Sequence, residues 1–194
     1  MARPREFDEE TVLDAATLCF WTRGYEGAST RDLAEQMGIT GASLYNAYGD
    51  KRALYRLVLD RYANQALAWC AGALTTARPA GEALEAFFTA LGAEALNDDL
   101  RRGCLVVNAG LETAPSDPEF RQVAADVFVR IEGLFAACVA RGQADGSIGA
   151  DQPAEDLARL LLGAMLGLRV LARTRAERPL VDGMVRSIAA LVRA

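Results

Sequence analysis

Gly24, Gly38 and Gly49 punctuate the first fifty residues, and the pieces between them are too short for any long element. The apolar spacing selects helices. Residues Asp8 to Arg23 set Val12, Leu13, Ala16, Leu18, Cys19 and Phe20 at mostly helical intervals and stop at Gly24. Ser29 stands three residues before Asp32, a variant of the capping box, and Leu33, Ala34 and Met37 form a short apolar face ended by Gly38. Thr40, preceded by Ile39, is a second N-cap candidate, and Ser43 to Tyr48 make another short helix before Gly49 and Asp50. Asp50 caps a long helix from about Lys51 towards Leu74.

Beyond Arg78-Pro79 the pattern changes to long amphipathic helices, expected at about Ala80 to Leu96, Gly103 to Thr113, Pro118 to Arg141, Pro153 to Arg173 and Pro179 to Arg193. Turn residues separate them at Asn97-Asp98-Asp99, Pro115-Ser116-Asp117-Pro118 and Asp145-Gly146-Ser147-Ile148-Gly149. Ala and Leu recur throughout and aromatics are only 7% of the residues, which agrees with helix rather than sheet. The expected class is all-α, with a small three-helix head over residues 1–50 and a helical body over 51–194 whose first helix, 51–74, is the link. A chain of 194 residues buries a sufficient core without staples, so neither disulfide nor metal is called for.

Several function classes are poorly served. There is no histidine, no phosphate-cradling glycine-rich loop, no acidic metal cluster on a helix and no nucleophile with an evident base, so an enzyme is not expected. Cys19, Cys70, Cys104 and Cys138 lie far apart with no CxxC pair, which argues against zinc, and no cofactor is expected. Met1 to Glu10 are charged, and no apolar run is long enough to cross a bilayer. The expectation is a cytoplasmic protein with reduced thiols and no membrane partner.

Two short helices joined by a tight turn, with Ala34 allowing close approach, Gly38 at the turn and Ile39 and Leu44 packed beneath, describe a helix-turn-helix or, equally, an ordinary helical corner. Charge does not favour the first reading. The chain is formally −5, and Met1 to Tyr62 carry eight Lys and Arg against ten Asp and Glu. DNA binding therefore requires that the acids face away while Arg3, Arg5, Arg31, Lys51 and Arg52 face the duplex.

Phe20, Gly24-Tyr25, Ser29, Leu33-Ala34, Met37-Gly38-Ile39, Ser43-Leu44-Tyr45 and Gly49-Asp50-Lys51 closely resemble the N-terminal domain of the TetR family of bacterial regulators, over about Phe7 to Tyr62. Arg3-Pro4-Arg5-Glu6-Phe7-Asp8 and Arg102-Gly103-Cys104-Leu105-Val106-Val107-Asn108 also look like one subgroup of that family. The resemblance implies a DNA-binding transcriptional regulator, a repressor released from double-stranded operator DNA by a small-molecule effector of unknown identity, with activation the alternative. It implies that Thr40 to Tyr48 enter the major groove, with Thr40, Ser43 and Asn46 bonding base edges and Ala42 meeting a thymine methyl. Tyr45 and Tyr48 are candidates for phosphate, with packing the alternative for Tyr48. Lys51 would hold phosphate together with the backbone N–H groups beside it, and Ser29, Thr30 and Arg31 would meet the DNA backbone. Gly41 stands where many members have Lys or Arg, and Ala47 where many have His. Arg3 and Arg5 read either as minor-groove arms or as a solvated terminus.

The resemblance also implies a homodimer, because two heads read a palindrome. Leu157, Leu160, Leu161, Ala164, Leu168, Leu171, Val185, Ile188 and Leu191 supply apolar faces on the last two helices, and Gly163 and Gly167 let helices cross closely or merely pack inside one subunit. An effector cavity within the helices after Pro79 and the link has Trp69, Phe87, Phe88, Leu91, Phe128, Ile131 and Phe135 as candidate walls, with Asn108 and Glu112 as polar candidates. Cys104 follows Gly103 at an expected helix N-terminus near Arg101 and Arg102, and is either a reactive sensor thiol or a small buried residue.

Overall fold

The computed structural model describes residues 8–193, and Arg3 and Arg5 lie outside the described residues. Nine helices occur among them, without a strand: α1 (Glu9–Gly27), α2 (Thr30–Gln36), α3 (Gly41–Tyr48), α4 (Lys51–Leu74), α5 (Ala80–Asn97), α6 (Leu105–Glu112), α7 (Pro118–Asp145), α8 (Ala154–Thr174) and α9 (Arg178–Val192). The all-α expectation holds, and four boundaries differ by two residues or more from those read in the sequence, one of them at α3, which starts at Gly41 and not Ser43. Gly24 interrupts α1 with φ +76°, but a last turn continues to Gly27. Gly103 is non-helical at φ +68° and Cys104 is an extended N-cap, so α6 starts at Leu105. Helix α7 runs past Arg141 because Gly142 stays helical where a Cβ would strike Ile148 and Ala80; Gly146, left-handed, ends it.

The caps account for the short helices. The Ser29 side chain accepts from the Asp32 N–H while Asp32 accepts from the Ser29 N–H, a reciprocal box. Thr40 accepts from Ser43 N at 3.0 Å, and Asp50 from Ala53 N at 2.8 Å.

In the head, Phe20, Leu33, Leu44, Leu54 and Tyr55 are almost fully buried. Phe120 of α7 joins this cluster with its ring 5.1 Å from that of Tyr55, so one apolar core runs from head to body. In the body α7 packs along α8 and α9 along α5, and Phe87 and Phe88 meet Phe135, centroids 5.3 and 5.9 Å apart. Helix α4 contributes to both ends of that core, from Leu54 to Leu74. No helix among the described residues is long and apolar enough to cross a membrane.

Candidate nucleic-acid interface and effector cavity

Helices α2 and α3 meet at a four-residue turn in which Gly38 takes φ +65°, and Ile39 N donates back to Ala34 O at 3.0 Å. Leu44 is buried at 1% exposure, which fixes the roll of α3 and turns its other face outwards. That outer face carries Gly41, Ala42, Tyr45 and Asn46, with Thr40 at its start; Ser29, Thr30 and Arg31 are exposed at the start of α2. Tyr45 is 66% exposed, an outlay of aromatic surface that the head's own packing does not use. Ser43 is half-buried and its hydroxyl lies 2.9 Å from that of Thr40, so this pair also serves the cap. Tyr48 needs correction: at 8% exposure its ring belongs to the head core and its hydroxyl is covered, so it is not a phosphate-facing side chain.

Ion pairs engage most of the head's cations and leave its acidic excess in place. Arg23 pairs with Asp32, Arg56 with Asp60 and Glu119, and Arg61 with Asp14. Arg52, expected on the DNA side, instead reaches Asp117 at 2.9 Å and Glu119 on the body. Arg31 and Lys51 are the cations of the described head that have no carboxylate partner. Lys51 is the chain's single lysine. Its ammonium donates to the Tyr25 carbonyl at 3.0 Å and lies 4.4 Å from the centre of the Tyr25 ring.

A cavity of about 620 Å³ opens between α1, α4, α6, α7 and α8, with Glu94 of α5 and Arg102 at its rim. Of the residues expected on its wall, Trp69, Cys104, Phe128 and Ile131 are there. The others are elsewhere. Phe87, Phe88, Leu91 and Phe135 are at most 1% exposed in the core behind it, Asn108 donates to Arg102 O at 2.9 Å, and Glu112 accepts from Glu26 N at 3.0 Å. Large apolar residues fill a core before they line a void, so hydrophobicity alone selected the wrong phenylalanines.

The wall residues that sequence reasoning missed include Asp14, Thr17, Leu18 and Trp21 on α1, Tyr62, Ala66 and Cys70 on α4, and Arg169 on α8. A signal existed for two of these sets: 14, 17, 18, 21 and 62, 66, 69, 70 each follow helical spacing and so share one face. Which faces converge was not in the spacing. Arg169, 13% exposed in its side chain, pairs with Glu94 at 2.9 Å, and the Arg102 guanidinium lies 4.5 Å from the Trp21 ring centre. Burial pushes the Tyr62 hydroxyl far above its ordinary range, with the adjacent Cys104 adding to the effect, and pushes the Cys70 thiol up to about 11.

On α8 and α9 the expected pairing surface divides. Leu160 is 51% exposed, Leu191 42%, and a Cβ at Gly163 or Gly167 would meet open space, so these glycines serve no packing inside the subunit. Ala164, Leu171 and Val185 are half-buried. Leu168 and Ile188 are corrected to core positions, 0% and 7% exposed, because they face α8's and α9's own bundle.

A compact helix-turn-helix head on a helical body, with an open cavity walled by helices of both, matches known proteins along nearly its whole length. Residues 12–58 match the family described as bacterial regulatory proteins, tetR family, and residues 80–188 match the tetracyclin repressor-like C-terminal domain. The chain is 32% identical over 179 residues to the uncharacterized HTH-type transcriptional regulator YezE of Bacillus subtilis (strain 168), covering 91% of this chain and 92% of that protein. It is 29% identical over 176 residues to the HTH-type transcriptional repressor ComR of Escherichia coli (strain K12), covering 90% and 84%. Among solved structures, the TetR family transcriptional regulator CifR, a cysteine mutant complexed with 26bp double-strand operator DNA, superimposes with a TM-score of 0.85 at 36% identity, covering 97% of this chain and 98% of that one. One family match covers the head and runs into the first residues of α4, the other covers the body, and together with these relatives they establish that this chain is a TetR-family helix-turn-helix transcriptional regulator.

Proposed function

We propose that the protein is a homodimeric repressor that occupies a palindromic operator and leaves it when a small molecule fills the cavity between α1, α4, α6, α7 and α8. Residues 1–50 form the DNA-binding unit and 51–194 the effector-binding and pairing unit. Thr40, Ala42, Ser43 and Asn46 read bases, Gly41 lets the start of α3 approach the groove, and Ser29, Thr30, Arg31, Tyr45 and Lys51 hold phosphates. The stripe of exposed Leu160 and Gly163 with half-buried Ala164, Gly167 and Leu171, and Val185 at its edge, pairs two copies.

The observation that carries this reading is the course of α4. Its first residue, Lys51, stands beside α3, while Tyr62, Ala66, Trp69 and Cys70 on the same helix line the cavity. A molecule entering the cavity therefore presses on the element that orients the head, and misplacing one head against fixed half-site spacing loses its contacts. The relatives favour the same direction: ComR is described as a repressor and CifR was solved on operator DNA.

Selection of sites from random duplex DNA with the full chain, at two salt concentrations, tests the proposal. A palindrome whose recovery falls steeply with salt is the expected result; no enrichment at either salt would refute it. Cys104 supports a second route of release, since it stands half-buried on the cavity wall. Alkylation of its thiol should then dissociate the operator complex in the wild type and not in Cys104→Ser.

A further inference from the structure

We infer that the cavity admits an uncharged, mainly apolar molecule that turns one hydrogen-bond-accepting group towards Arg169. This rests on the effector reading above. Each charged side chain of the wall already has a partner: Arg169 with Glu94 at 2.9 Å, Arg102 with Asp98 at 3.0 Å and Asp14 with Arg61 at 2.5 Å. A ligand carboxylate would have to compete with Glu94 for Arg169 and sit beside it; a ligand cation would have to draw Asp14 or Glu94 from its arginine and sit beside that arginine. The upward displacement of Tyr62 and Cys70 marks the same wall as one that disfavours added charge. A neutral acceptor pays neither penalty. The Arg169 guanidinium spends one nitrogen on Glu94 and carries further N–H groups for it. Trp21, Trp69, Phe128 and Ile131 provide the apolar remainder, and about 620 Å³ accommodates a molecule of drug-like size.

Three matched probes decide the charge class: 4-cyclohexylacetophenone, 4-cyclohexylbenzoate and 4-cyclohexylbenzylamine, titrated into the full chain by calorimetry without DNA. The chain's two tryptophans both line the cavity, so intrinsic fluorescence reports the same event. The ketone should bind at least tenfold tighter than either charged probe and change the fluorescence, and Val107→Phe, which narrows the cavity, should weaken it at least tenfold. Equal or tighter binding of the carboxylate or amine, no binding by any probe, or ketone binding unchanged in Val107→Phe overturns the inference. Because no DNA is present, these outcomes are independent of the operator selection.

A separate observation concerns one peptide group. Its carbonyl, from Tyr25, accepts from the Lys51 ammonium at 3.0 Å, and its N–H, from Glu26, donates to Glu112 Oε1 at 3.0 Å. Glu112 is thus not a ligand group but the far end of α6, whose near end, Cys104, Val106 and Val107, lines the cavity. The same carboxylate fills the space where a Cβ on Gly24 would come within 2.8 Å. The geometry points to Glu112 as a positioning residue for operator binding: it holds the Tyr25–Glu26 peptide so that Lys51 presents its remaining N–H groups to phosphate, and α6 transmits cavity occupancy to that clamp. Charge-assisted bonds at both ends of one peptide polarise each other, which makes the two ends interdependent.

This rests on the DNA-binding reading and has a sign of its own. Removing a carboxylate near phosphate should, by simple charge, strengthen DNA binding, whereas loss of the clamp weakens it. Affinities for the selected operator are measured for wild type, Glu112→Gln, Lys51→Met and the double variant, with thermal melts as a check on folding. Expected are a roughly tenfold loss in Glu112→Gln, a larger loss in Lys51→Met, and a double variant no weaker than Lys51→Met alone. Unchanged or tighter binding by Glu112→Gln, or a double variant that loses the product of the single effects, overturns it. A wild type that binds no duplex refutes the DNA-binding reading instead.

Discussion

The outer face of α3 and the wall of the cavity are both solvent-facing, yet they are built in opposite ways. The first comes from a handful of nearly consecutive residues fixed by two local caps and one buried leucine, Leu44. The second draws on α1, α4, α6, α7 and α8, and exists only where those helices fail to close on one another. A surface of the first kind tolerates repacking elsewhere in the chain; one of the second kind changes shape with every neighbour. Evolutionary retuning of the effector therefore has many residues to act on, and retuning of the operator few.

The largest test of that contrast compares two phenylalanines of one helix. Phe135 is fully buried against Phe87 and Phe88, whereas Phe128 lines the cavity and is only half-buried. Phe135→Ala should cost about 3–5 kcal/mol of stability, since the packed core cannot close over the void. Phe128→Ala should cost distinctly less because it enlarges a space that is already open. Denaturant unfolding of both variants measures the difference, and equal losses would mean that the cavity is not open in solution.

On the head, Asn46→Ala should leave unfolding midpoints within about 0.5 kcal/mol of wild type, as an exposed position does. Its effect belongs to recognition, about 1–3 kcal/mol on the selected operator and concentrated at one base position. Competition with operators mutated one position at a time checks this; a uniform loss across sequences would move Asn46 from bases to phosphates.

The same contrast explains what could be read in the sequence. Ser29, Thr40 and Asp50 announce helix starts through bonds to residues three positions on, and all three caps form. The helix count and most ends followed from such local chemistry. Gly142 escaped this logic, because what keeps α7 running is the contact with Ile148 and Ala80, invisible until the chain turns back. Tyr48 was ambiguous for a related reason: its hydroxyl suits phosphate and its ring suits the core, and only the roll of α3 decides. The cavity was the least legible. Tyr62 and Trp69 share a face of α4 by spacing alone, but their meeting with Trp21, Arg102 and Arg169 joins four distant stretches of chain.

A smaller effect tests whether the head face is as locally built as it looks. Ser29→Ala removes the acceptor for the Asp32 N–H and should cost about 1 kcal/mol. If head geometry depends on that cap, operator affinity falls as well; if tertiary packing of Leu33 suffices, stability falls and affinity does not. Paired unfolding and operator titrations of the one variant separate the two cases.

The smallest effect lies where the two regions are fastened. Hydrogen bonds from Arg52 hold the Asp117 and Glu119 carboxyls below their ordinary ranges. A carboxyl depressed in the folded state contributes stability above its unfolded value, and that contribution is lost as pH falls through the folded value. The Arg52 pairs should therefore help at pH 5 to 7 and progressively less below about pH 4. Arg52 and Glu119 are exposed to solvent and Asp117 is half-buried, so the gain is small and fades with salt. Thermal melts of wild type and Arg52→Ala across pH 7 to 3 should converge at the acid end. A gap that persists at pH 3 would show that Arg52 fastens head to body by another means, its guanidinium lying 5.2 Å from the centre of the Phe120 ring, a contact indifferent to carboxyl protonation.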